Sequence, residues 1–269
     1  MSSVAEFFKN LTLPVMPDVA YELIHSINDE EVPVAQLREA IARDPSLAVQ
    51  LLRLANSARY AHCQRVGTLD DAIARVGMRQ VRALALAACF NDAFPVAPGL
   101  DRETFWRGSQ SRGGLAQWVA SGVGSDSEQA WLSGFMLRVG ELLMGMKSPS
   151  NVKAFERQPS QPGARWEREE ALMGFNEAQV SAELARAWNF PDTMVDALNA
   201  AARPLLAQPF SRLGAVLHLA ELLAAADELG TSAVDNLPAE VLQALELDAD
   251  WMHTQLPQAQ VYVNASMLH

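Results

Sequence analysis

The chain reads as an all-α protein, and three features of its sequence say so. Alanine and leucine dominate, isoleucine occurs only four times, and no stretch keeps the polar/apolar alternation of a half-buried strand. Apolar residues recur instead at helical spacing: Leu47, Leu51, Leu54 and Ala55 fall at i, i+4, i+7 and i+8 and form one stripe. Capping residues, prolines and glycines punctuate these runs where helices should start and stop.

Taken in order, Pro17-Asp18 precedes the periodic run VAYELIHSI. Asp44 stands as an N-cap before Pro45, whose missing N–H costs nothing at the first helical position. Thr68 and Asp71 make a capping box, and the stop signals Gly67 and Gly77 flank the short helix they open. Met78 to Phe90 is apolar on most sides and should form a buried central helix. Gly99 stops the next stretch, Ser125 to Glu128 opens a long apolar segment, and Asn189-Phe190-Pro191 closes a later one.

The proline-bearing stretch AFPVAPGL at 93–100 is the best internal boundary. It separates a small N-terminal helical lobe, 1–96, from a larger helical lobe, 97–205, which the loop RQPSQPG at 157–163 interrupts. A C-terminal extension, 206–269, follows. Its pattern weakens to short helices from about residue 238, and its last dozen residues read as a loosely held tail. Trp106, Trp118, Trp131 and Trp188 are expected in the core, and Trp166, beside the charged ERE, as an exposed anchor.

Composition narrows the function. The net charge of −11 argues against a duplex-binding surface, which needs Lys and Arg to displace counterions, so no nucleic-acid partner is expected. The charge is uneven: residues 38–82 carry eight arginines against four acids, and residues 213–269 carry eight acids and no Lys or Arg. Such polarity could steer a charged partner or bring two copies together head to tail. There is no apolar run of membrane-spanning length and no signal-peptide pattern. Cys63 and Cys89 are too few for a disulfide framework, and a cytoplasmic protein with core thiols is expected.

Few catalytic motifs are available. No G-x-G-x-x-G, G-x-x-x-x-G-K-[ST] or G-x-S-x-G occurs. The five histidines, His25, His62, His218, His253 and His269, are scattered, and none is followed by Asp. His218 and Glu221 share a helix face at i, i+3, as two metal ligands do, but ordinary packing explains the pair as well.

Three segments, LPVMPDVAYELI (13–24), ARDPSLAVQLLRLANSARY (42–60) and TLDDAIARVGMRQVRALALA (68–87), closely resemble the bacterial HDOD family. The similarity continues through Trp106, Ser109, Gly134 to Gly140, Gly174-Phe175 and Ala187 to Pro191. That family is an all-helical offshoot of the HD-type metal-dependent phosphohydrolases. The resemblance implies an HD-like fold for the larger lobe and a regulatory module of bacterial signal transduction. Such a module would act on a protein partner or a small anionic ligand, alone or by self-association, with no cofactor.

The resemblance also marks departures. Where metal-binding relatives carry a His-Asp dyad, this chain has Leu137 and Arg138 in GFMLRVG. Glu177 stands where many have a histidine, Ala201 and Ala202 where a His-His pair often occurs, and Glu221 where a late aspartate aligns. A leucine and a guanidinium cannot ligate Mg²⁺ or Mn²⁺, so metal-assisted hydrolysis is expected to be absent. If the helices pack as in the relatives, Arg138, Glu177 and Glu221 point toward one former cavity, and a protein cation replaces the metal. The alternative is that these are surface charges on separate helices. An unorthodox hydrolase would have to hold its metal on carboxylates such as Glu141, Glu169, Glu170, Glu177 and Glu221. Arg53, Asn56, Arg59 and Arg79 are candidates for partner recognition, although Asn56 could equally satisfy a helix end.

Overall fold

The computed structural model of the chain describes residues 3–9, 11–15, 20, 34–42, 45–57, 65–94, 100–156 and 162–266. Helices make up the regular structure, with no strand among the described residues. α1 (Val4–Lys9) packs its Phe7 against Phe175, far along the chain, and the rest of the N-terminal part holds α2 (Val34–Ala42), α3 (Pro45–Ala55), α4 (Leu69–Val76) and α5 (Met78–Ala93). The second lobe holds α6 (Arg102–Gly122), α7 (Ser127–Met136), α8 (Val139–Lys147), α9 (Pro149–Glu156), α10 (Ala164–Met173), α11 (Glu177–Ala187) and α12 (Asp192–Ala200). The extension adds α13 (Arg212–Ala224), α14 (Thr231–Asp235), α15 (Ala239–Leu245) and α16 (Ala249–Ser266).

Local chemistry accounts for several boundaries. Pro45 is the first residue of α3, while Pro17-Asp18, Asp44 and Gly99 lie outside the described residues. Thr68 Oγ1 accepts from the Asp71 backbone N–H at 3.2 Å and donates to the Asp71 carboxylate at 2.6 Å. Gly77, at φ +90°, turns the chain between α4 and α5, a conformation costly for any residue with a Cβ. Asp126 caps α7 by accepting from the N–H groups of Glu128 and Gln129.

The 21-residue α6 is the axis of the molecule, with α7, α13 and α16 packed around it. Its neighbours approach closely because they meet small residues. A Cβ on Gly122 would come within 2.5 Å of the Trp251 ring, which stacks on Trp118 at 5.6 Å. α5 is the buried central helix the sequence predicts, and it joins the lobes. Phe90 meets Phe135, Trp188 and Phe190 at ring separations of 6.2, 4.9 and 6.0 Å. Gln117 on α6 donates to the buried Gln80 on α5 at 2.9 Å. One contiguous apolar core therefore runs through both lobes and the extension.

Two expectations need correction. Trp166 is no exposed anchor: it is 3% exposed and packs beside the His218 ring at 5.7 Å. The C-terminal tail is not loose either, since α16 runs for 18 residues, past Pro257, to Ser266. It lies along α6 and buries Met252, Ala259 and Val263.

Candidate functional site

Three of the expected positions, Arg138, Glu177 and Glu221, come together in a buried ionic cluster at the meeting of α6, α8, α10, α11 and α13. Leu137 ends α7 and is fully buried. Arg138 follows, at the turn into α8. Its position depends on how closely α8 approaches α11. A Cβ on Gly140 would lie 2.2 Å from the Glu177 carbonyl oxygen, so only glycine fits. Ser181 on α11 fastens this turn, accepting from the Gly140 N–H at 2.7 Å and donating to the Leu137 carbonyl at 3.1 Å.

From there Arg138 reaches Glu177 at 3.2 Å and Glu141 at 2.5 Å. Arg165 on α10 meets three carboxylates at once: Glu141 at 2.7 Å, Glu169 at 2.9 Å and Glu177 at 3.0 Å. Glu169 also caps α11 by accepting from the Glu177 backbone N–H at 2.8 Å. Glu221 takes a different partner from the one expected. Arg112 on α6 grips it with two parallel N–H donors, at 2.5 and 3.1 Å. Arg138 and Arg165 act on Glu221 by charge only.

These charges are not a solvated surface. Glu141, Glu169 and Glu177 are fully buried, and Glu221 and Arg112 nearly so. Four carboxylates thus face three guanidiniums. The imbalance falls on Glu169 and Glu177, whose pKa values are raised, first by burial and then, for Glu169, by repulsion from Glu177. Burial works against Glu221 too, but the Arg112 guanidinium outweighs it and holds this carboxyl below the usual range. Arg138 loses by burial yet is bound more firmly to its proton, because Glu141 and Glu177 lie against it.

The other expected positions separate. Ala201 is buried, and its carbonyl accepts from His218 Nδ1 at 2.8 Å; Ala202 lines a cavity on the outer side of α10 and α13. His218 and Glu221 therefore serve different neighbours. Asn56 is structural: it donates to the Leu52 and Val66 carbonyls at 2.8 and 2.9 Å and accepts from the Val66 N–H at 2.8 Å. Arg53 is exposed on α3, whereas Arg59 and the Arg79 side chain lie outside the described residues. Sequence reasoning missed Arg112 and the role of Arg165. Arg112 is the only charged residue between Arg107 and Asp126, a signal that a lone cation in an apolar helix has a buried partner.

Residues 13–204 match the HDOD domain. The chain belongs to the HDOD family. A solved structure from Shewanella amazonensis, provisionally assigned as a phosphohydrolase, is 26% identical, with 98% of this chain and 96% of that chain aligned at a TM-score of 0.78. A Marinobacter aquaeolei protein, provisionally assigned to signal transduction, has the same fold at 23% identity and a TM-score of 0.76, covering 99% of this chain and 60% of its own. An uncharacterised protein of Treponema pallidum (strain Nichols) is 24% identical over 191 residues, 69% of this chain. This HDOD chain spans only 37% of that relative's length. No described helix is long and apolar enough to cross a membrane.

Proposed function

We propose that this HDOD protein is a non-catalytic regulatory module of bacterial signal transduction, acting in the cytoplasm by recognising a protein partner. The observation that carries this reading is the Arg165 guanidinium, within 3.0 Å of three carboxylates that a metal ion would otherwise need. Arg138 adds a second fixed cation in the dyad position, and Arg112 occupies both oxygens of Glu221. A divalent ion would have to displace guanidiniums that carry their charge at all accessible pH values. The cluster does not fit a metal, and metal-assisted hydrolysis has no seat in it. The signalling assignment of the Marinobacter protein agrees with this reading.

A protein partner is favoured over a small anion because the candidate cations are engaged. Arg138 is committed to Glu141 and Glu177. In the cavity of about 410 Å³ between the lobes, Arg107 pairs with Glu103 and Arg102 donates to the Phe94 carbonyl. The competing hydrolase reading rests on Glu141, Glu169, Glu177 and Glu221 of the cluster, with Glu170 turned away to Arg203, and on the assignment of the Shewanella protein. Elemental analysis of protein produced with added Mn²⁺, with a phosphoesterase assay on the same sample, decides between them. Substoichiometric metal and no turnover are expected; one ion per chain with metal-dependent cleavage would reverse the conclusion.

A further inference from the structure

The cavity on the outer side of α10 and α13, about 740 Å³, is large enough for a small ligand or a long side chain. α10 presents two faces: Arg165 and Glu169 enter the ionic cluster, while Glu167 and Glu170 line the cavity. α13 divides likewise, with Glu221 inward and His218 and Leu222 on the cavity wall. Glu167 is exposed and has no ion pair among the described residues. Glu170 is engaged by Arg203, whose side chain is 59% exposed.

The rest of the lining supplies no further fixed cation. The Ala201 carbonyl can only accept, so His218 Nδ1 carries a proton; burial lowers the ring's pKa, and a neutral ring leaves Nε2 as an acceptor. Trp166 lines the same cavity, 3% exposed, and its indole N–H has no acceptor among the described residues. Asp227, Glu228, Asp235 and Glu240 are exposed, each within two residues in sequence of a lining residue, in an extension that has no Lys or Arg beyond residue 212, although Asp235 lies 3.0 Å from His253.

We propose that this cavity binds an organic cation, an ammonium or guanidinium head on an apolar stem, with Glu167 and Glu170 receiving the head and Leu222 contacting the stem. Arg203 is the internal occupant that such a ligand displaces from Glu170. The inference deepens the proposed function by giving the chemistry of what is recognised: a basic side chain on a partner protein, which can also bring a carbonyl for Trp166, or a free amine of the same class.

Calorimetry on the full chain, with agmatine and with a capped arginine tripeptide as probes, tests it. At least one probe should bind, about fivefold more weakly in Glu167→Gln and about fivefold more tightly in Arg203→Ala, which frees the Glu170 oxygen that does not accept from Asn176 Nδ2. Both positions are exposed, and far-UV circular dichroism verifies the fold of each variant. Binding of the peptide alone identifies a protein source, and binding of agmatine identifies a free amine. Silence from both probes, or an affinity that neither substitution moves, overturns the proposal. Metal content and turnover of the same samples report separately on the non-catalytic reading, so either idea can fail without the other.

Discussion

Arg165 holds three buried glutamates at once, because its guanidinium shares one Nε–H between Glu169 and Glu177 and sets a terminal nitrogen 2.7 Å from Glu141. Replacing it with methionine keeps much of the volume but strands charges in the interior. Arg165→Met should destabilise the fold by about 3–5 kcal/mol, read from urea denaturation. The excess carboxylate makes a second, pH-dependent prediction. Glu169 and Glu177 have folded-state pKa values above the ordinary glutamate value of 4.5, so the folded chain holds protons that the unfolded chain releases. Stability is then greatest below that value and falls as pH rises through the window above it. Glu221 has the opposite sign: its contribution is complete above 4.5 and is lost as pH falls. Glu177→Gln removes one negative charge while leaving an acceptor for Arg138 and Arg165, so the loss of urea resistance on going from mildly acidic to neutral pH should shrink. A slope unchanged from wild type would show that the pair does not hold the proton. At this scale the sequence was half legible. The Leu137-Arg138 replacement is visible as a departure from a motif, but Glu221 finds Arg112 across 109 residues, a pairing that no local spacing announces.

Helices are where the sequence speaks most clearly, since caps and periodicity act locally. Thr68, Gly77 and Asn189 mark real boundaries, and Asn189 sits at φ +58° just beyond α11. α16 is the element that departs from its sequence pattern. Its buried residues, Met252, Ala259 and Val263, are sparse, Pro257 interrupts the pattern, and the partner surface on α6 is remote in sequence. Trp166 misleads for a related reason: the charged ERE that follows it suggests solvent, yet Glu169 of that run, with Arg165 before it, faces a buried ionic cluster. The sharpest test at this scale is the α8–α11 contact. Gly140→Ala drives a methyl into the Glu177 carbonyl, where backbone cannot yield cheaply. A loss of about 1–3 kcal/mol is expected from overpacking, measured by thermal or urea unfolding. A neutral substitution would mean that α8 rides higher on α11 than the structure places it.

Across the whole molecule, the boundary read at 93–100 divides the sequence but not the core. Phe90 and Phe94 of the first lobe stand against Trp188 of the second, at 4.9 and 5.8 Å, so burial in either lobe depends on the other. All six tryptophans lie at or beyond residue 106, so fluorescence reports on the second lobe and the extension, while far-UV circular dichroism reports on every helix. In the native protein the two probes should give one coincident transition, because a shared core unfolds cooperatively. Phe90→Ala removes a ring that is 1% exposed and should cost about 3–5 kcal/mol. Its effect should be uneven. The dichroism curve should gain an early phase from the first lobe, while the fluorescence transition stays close to its native midpoint. Two curves that still superimpose in the variant would show that the lobes are joined by more than this aromatic seam, and that the division at 93–100 has no energetic meaning.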